Sequence, residues 1–310
     1  MDQVMTEFLI AGGIMGAMGA TLAAVLAFAD KKLYVYEDPR IDEVEGLLPK
    51  ANCGACGCAG CRAFAEKAVK GEIAPGKCTV NSPEGVAAVA ALLQIDAGAE
   101  EKRVARLACA GGPHVARHRA LYIGLPTCRA AALVNGGAKG CSWGCLGLGD
   151  CERVCSFQAI RMSGHSLPVV NEPLCTACGD CVEVCPKQLF SLHAVSHRLW
   201  VACRNLADGA QAEADCEVAC TACGRCAVDA PGGLIQIVNN LAVIDYGRNS
   251  LASPVPTQRC PTGAIVWFEK DQGPLRGPEA KRITRQSPLP VRAADLPTQR
   301  ATSSYEGMHS

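Results

Sequence analysis

From Phe8 to Ala29 the chain runs 22 residues without a charge. At about 1.5 Å of rise per residue such a run crosses a hydrocarbon core of about 30 Å, so the pattern predicts one transmembrane helix. Ala27-Phe28-Ala29 has the small-x-small form of a signal-peptide cleavage site, but the residues before the apolar run carry Asp2 and Glu7 and no Lys or Arg, unlike a secretory leader. Lys31 and Lys32 follow the span directly, which by the positive-inside bias places the remainder of the chain on the cytoplasmic side of the inner (cytoplasmic) membrane. Gly12, Gly16 and Gly19, with Ala20 and Ala23 close by, fall near one helical face and would let another helix approach closely.

Beyond the span the apolar runs are short. Phe64, Ala65, Ala68 and Val69 recur at helical spacing within Arg62 to Lys70. Ala159 to Met162 and Leu167 to Val170 flank a Ser-Gly-His-Ser turn, and Leu234 to Val238 and Leu241 to Asp245 flank Asn239-Asn240. Both pairs predict β-hairpins, the second with a turn whose asparagines tolerate positive φ. From Asp271 to Ser310 prolines and arginines are scattered without apolar period, the pattern of a disordered tail.

Composition then narrows the chemistry. Thirty basic and thirty acidic side chains cancel, which argues against a nucleic-acid binder. The 310 residues include 21 cysteines, most in runs spaced two or three apart, which suits metal ligation in a reducing compartment better than disulfides. Cys53, Cys56, Cys61 and Cys78 form C-x2-C-x4-C-x16-C among glycines, a four-thiolate set for a 4Fe-4S cluster, with zinc as the alternative from spacing alone. Cys58 is a fifth thiol in that loop and the expected odd one out.

Cys175, Cys178, Cys181 and Cys185-Pro186 give an unmodified C-x2-C-x2-C-x3-C-P; Cys141, Cys145, Cys151 and Cys155 form its stretched partner, C-x3-C-x5-C-x3-C, with Ser156 in place of proline. Two such runs around a hairpin predict a two-cluster ferredoxin fold, in which the fourth cysteine of each run ligates the other run's cluster. The expected sets are Cys141, Cys145, Cys151 with Cys185, and Cys175, Cys178, Cys181 with Cys155.

The pattern repeats at Cys220, Cys223 and Cys226, but Ala230 stands before Pro231 where a fourth cysteine belongs. After the second hairpin, the polar GRNSLASPVPTQ replaces the next three cysteines and only Cys260-Pro261 survives. Cross-ligation accounts for all four losses. A module that dispenses with one cluster drops that cluster's ligands and keeps Cys260, which completes the set Cys220, Cys223, Cys226, Cys260. Cys109, Cys128, Cys203 and Cys216 are left over, as bystanders or as a fifth cluster assembled from distant segments.

These motifs resemble the B subunit of the Rnf complex, the membrane ion-translocating ferredoxin:NAD oxidoreductase, in its long form with extra ferredoxin-type repeats. The resemblance covers residues 1 to about 268. It implies a translocase subunit that takes electrons from soluble ferredoxin, passes them through 4Fe-4S clusters to other membrane subunits, and has no catalytic residues beyond those clusters. It also leaves flavin and NAD to other subunits, in keeping with the absence of a G-x-G-x-x-G after a strand. The alternative is a membrane-tethered polyferredoxin serving another oxidoreductase without ion pumping. The expected fold is α+β: an anchor (1–32), a small 4Fe-4S domain (33–98), a connecting region (99–140), a two-cluster ferredoxin module (141–198), a degenerate one-cluster module (199–269) and a disordered tail (270–310). Four clusters are expected, with a fifth open.

Overall fold

A computed structural model describes residues 2–33, 37–270 and 272–291. Helix α1 (Asp2–Leu33) contains a stretch, Gly12–Leu33, long and apolar enough to cross a membrane. Its large apolar side chains, Ile14, Met15, Leu22 and Phe28 among them, are exposed, and a Cβ added at Gly12, Gly16 or Gly19 would meet nothing in this chain.

Three short helices form the next unit: α2 (Arg40–Leu47), α3 (Cys61–Val69) and α4 (Pro83–Leu93). The apolar face expected on α3 is the buried one. Phe64, Ala65 and Ala68 pack with Val44 of α2 and Val89 of α4. Arg62 points outward and pairs with Glu37, Asp42 and Glu45, tying α3 to the segment before it. Ser82 caps α4 by accepting from the amide of Gly85 at 3.0 Å.

The two-cluster module is built as expected on a hairpin, β2 (Ile160–Met162) against β3 (Pro168–Val170), and two cysteine-bearing helical turns, α6 (Asp150–Val154) and α7 (Asp180–Val184). The region read as a mere connection takes part in it. Strand β1 (Arg103–Leu107) pairs antiparallel with β4 (Phe190–Ala194), and α5 (Cys128–Leu133) packs its capped N-terminus on α6, where the amide of Arg129 donates to Asp150 Oδ2 at 3.1 Å. In the following module β5 (Leu199–Val201) is succeeded by α8 (Gly209–Asp215) and α9 (Arg225–Asp229), then by the hairpin β6 (Ile235–Val238) and β7 (Leu241–Ile244). Asn239 and Asn240 occupy its turn at φ 49° and 60°. Where three cysteines were lost, a 3-10 segment and α10 (Val255–Gln258) fill in, and α10 packs on α9 as α7 packs on α6. Strand β8 (Ile265–Glu269) returns antiparallel to β5.

The tail departs from expectation. Residues 273–276 form β9 (Gly273–Arg276) on the outer edge of β8; beyond it Arg285 donates to His114 O at 2.6 Å and pairs with Glu217, and the Leu289 amide donates to Pro113 O at 2.8 Å. The expected disorder is corrected for 272–291. An open strand edge and the carboxylate of Glu217 order a segment that has no apolar period of its own. Residue 271 and residues 292–310 of the expected tail lie outside the described residues.

Candidate metal centres

All 21 cysteines are free thiols, and five hollows are each lined by four of them. Each hollow holds about 320 to 380 Å³ of space between atoms, part of it open to solvent. The first is lined by Cys53, Cys56, Cys61 and Cys78, with Phe64 beneath. Gly54 and Gly57 adopt φ of 70° and 80°, which keeps side chains out of the loop. Asn52 Oδ1 accepts from the Cys61 amide at 2.8 Å and fixes the start of α3. Cys58 is buried beside Cys56 and away from the hollow's lining.

The second hollow gathers Cys175, Cys178 and Cys181 with Cys155 from the other run, the crossed grouping expected. Gly179 precedes α7 at φ 99° and lets Cys181 turn inward. From β1, the Ala105 amide donates to Cys175 Sγ at 3.5 Å. Fourth cysteines share a local geometry. Cys155 and Cys185 each accept on Sγ from the amide four residues on, at 3.3 and 3.4 Å, and each carbonyl accepts from the amide three residues on, whose φ is positive (Gln158, 54°; Gln188, 50°).

Cys260 has that turn. Its carbonyl accepts from the Gly263 amide at 3.3 Å, and Gly263 lies at φ 67°. It lines the third hollow with Cys220, Cys223 and Cys226. Arg259 clamps both carboxylate oxygens of Asp229 on α9, the helix that carries Cys226, and so holds Cys260 against the loop. At the abandoned position, Ala230 is buried in an apolar core with Ile235 and Ile244.

The remaining two hollows group their thiols differently from the expected set. Cys145, Cys151 and Cys185 share theirs with Cys128, whereas Cys141 faces Cys109, Cys203 and Cys216. Relative to the expected sets, Cys141 and Cys128 change places. The Thr127 cap and the Arg129 to Asp150 bond seat Cys128 beside α6, and burial followed by the thiols of Cys128 and Cys185 pushes Cys151 up to about 12. Cys141, separated from Cys145 by three residues rather than two, begins a turn closed by the Gly144 amide onto its carbonyl at 3.1 Å and faces the other hollow. Sequence spacing missed Cys128 because its approach depends on a helix cap, not on a run. It also missed Lys139, a buried side chain that lines the hollow of Cys141 and donates from Nζ to Cys145 O at 2.7 Å and to Gly111 O.

The donor set fits 4Fe-4S clusters. Among the described residues no group of three or more His, Cys, Asp or Glu side chains is placed to hold a single metal ion; the thiols stand around a hollow instead of closing on a point, which suits a cube better than zinc. Burial, with neighbouring thiols adding to it, pushes Cys145, Cys181 and Cys226 up to about 12, so loading must displace protons.

Comparison with known proteins agrees with this chemistry. Residues 48–80 match the family described as "Putative Fe-S cluster", and residues 141–190 match a 4Fe-4S dicluster domain. The chain is 41% identical to the B subunit of the Na(+)-translocating ferredoxin:NAD(+) oxidoreductase complex of Acetobacterium woodii, over 79% of this chain and 74% of that one. It is 36% identical to the B subunit of the ion-translocating oxidoreductase complex of Methanosarcina acetivorans, over 81% and 95% of the two chains. To the B subunit of the proton-translocating ferredoxin:NAD(+) oxidoreductase complex of Clostridium ljungdahlii it is 39% identical, over 81% and 89%. With four-cysteine hollows where the matched domains place clusters and this likeness over most of its length, the chain belongs to the family of B subunits of ion-translocating oxidoreductase complexes, the Rnf type.

Proposed function

We propose that this chain is the iron-sulfur electron-transfer subunit of a membrane complex that couples electron flow between soluble ferredoxin and NAD to ion transport. The relatives' names supply the coupled reaction. The observation that carries the electron-transfer role is the set of four-thiol hollows on one chain. Clusters bound there supply one-electron redox sites.

The chain's own residues then have three tasks. The thiolates of Cys53, Cys56, Cys61 and Cys78, of Cys155, Cys175, Cys178 and Cys181, and of Cys220, Cys223, Cys226 and Cys260 hold the clusters. Amides such as those of Ala159, Leu189 and Ala105 donate to cysteine sulfur, which stabilises thiolate charge and tunes potential. Apolar cover from Phe64, Leu189 and Ile265 excludes water. Flavin and NAD are left to other subunits. Helix α1 anchors the chain, and Lys31 and Lys32 favour the cytoplasmic side for the cysteine-rich part.

The test uses inverted membrane vesicles from cells carrying a tagged chain. Reduced ferredoxin should drive NAD reduction together with ion uptake, both lost on deletion of this chain, and the tag should bring down membrane partners. Ferredoxin oxidation that persists in its absence would overturn the reading. Electron transfer without ion uptake in the intact vesicles would make the chain a tethered polyferredoxin instead.

A further inference from the structure

We infer that Cys109, Cys141, Cys203 and Cys216 hold a further 4Fe-4S cluster that joins the two ferredoxin-type modules, and that Cys128 replaces Cys141 in the first cluster of the two-cluster module. The inference rests on the iron-sulfur reading of the chain and goes beyond it. The matched dicluster domain begins at Cys141 and ends at 190, so three of these four thiols lie outside any matched cluster domain.

The four come from separate segments. Cys109 lies two residues past the end of β1 and Cys203 two residues past the end of β5; Cys141 opens the stretched cysteine run, and Cys216 caps the end of α8. Leu107 O accepts from Trp200 Nε1 at 2.9 Å, which fastens β1 to β5 and brings their ends together. Cys141 and Cys216 are buried, and all four thiols line one hollow of about 320 Å³. Four thiols gathered from separate segments around one hollow are the donor set of a 4Fe-4S cluster.

Two contacts place the hollow between its neighbours. The Cys145 amide donates to Cys109 Sγ at 3.4 Å, and Cys145 lines the hollow of Cys128, Cys151 and Cys185. The Cys220 amide donates to Cys203 Sγ at 3.3 Å, and Cys220 lines the hollow of Cys260. A ligand residue on either side therefore hydrogen-bonds a thiol of the bridging hollow. Loading forms four iron-thiolate bonds and releases four cysteine protons to solvent. In transfer, the cluster gains one electron from the neighbour on one side, which is oxidised by one, and returns one to the neighbour on the other, which is reduced by one.

The test is iron and sulfide counting with EPR on the anaerobically purified full-length chain. Five clusters predict about 20 iron and 20 sulfide per chain. A wild-type count of about 16 would overturn the inference while leaving the electron-transfer reading intact, and a count near zero would remove both. The Cys109→Ala/Cys203→Ala double variant should fall to about 16 and keep the EPR signals of the two-cluster module; retention of the wild-type count overturns the site. In that background Cys141→Ala should cost no more iron, whereas Cys128→Ala should cost more or convert a cluster to 3Fe-4S. The reverse result would overturn the exchange of ligands.

Discussion

Single side chains close the four-thiol hollows, and Cys260 is the clearest case. Its turn repeats that of Cys155 and Cys185, so Cys260→Ala should turn the cluster of Cys220, Cys223 and Cys226 into a labile 3Fe-4S form, read as a new EPR signal in the oxidised protein, while Cys58→Ser leaves iron content unchanged. Lys139 adds a positive charge at the hollow of Cys141 and draws the Cys145 thiol down against the stronger effect of burial. A reduced cluster carries one more negative charge. Lys139→Met should therefore lower the midpoint potential of the cluster inferred there, visible in an EPR-monitored redox titration, and strand two buried carbonyls at a cost of about 1–3 kcal/mol each. His193 is a different kind of residue. Burial, then His197, Arg103 and Arg106, push it from 6.5 down to about 4, and its ring meets Trp200 edge-on at 4.8 Å. Unfolding restores the ordinary value, so the unfolded chain takes up the proton first. The stabilisation from keeping this ring neutral is whole above about pH 6.5 and shrinks as pH falls towards 4, by at most about 3 kcal/mol and by less in practice because the ring is only partly buried. His193→Phe should flatten the fall in urea midpoint between pH 7 and pH 5.

Elements show what could be read from the chain and what could not. Hairpins β2–β3 and β6–β7 and helix α3 follow from local alternation, turn asparagines and apolar spacing, and all fell where the residues placed them. The crossed grouping of Cys155 and Cys185 was legible for the same reason, since it follows from two adjacent runs. Strand β1 was not legible, because its partner β4 lies more than eighty residues on, and neither was the seat of Cys128, which depends on a cap and on Asp150. The edge strand β9 was hidden by prolines that read as disorder. Its contacts carry a prediction: a chain ending at residue 270 should lose β9 and the Arg285 pair with Glu217, and its melting temperature should drop by about 2–4 °C for each kcal/mol removed.

At the scale of the molecule, the chain sets a series of cysteine-lined hollows behind one apolar helix. Protease added outside intact cells should leave the cysteine-rich part uncut; cleavage there would reverse the proposed orientation. The hollow of Cys109, Cys141, Cys203 and Cys216 also has a bearing on chronology. The first hollow closes within Cys53 to Cys78, and the pair in the two-cluster module within Cys128 to Cys185, so those sites are complete while later residues are still emerging from the ribosome. The bridging one waits for Cys216, and contacts of such wide sequence separation form late. Iron would thus arrive there after the two-cluster module is complete and before the hollow of Cys260, whose last thiol emerges later still, and a chain interrupted before Cys216 would keep the first lengths of conductor with nothing to carry electrons onward.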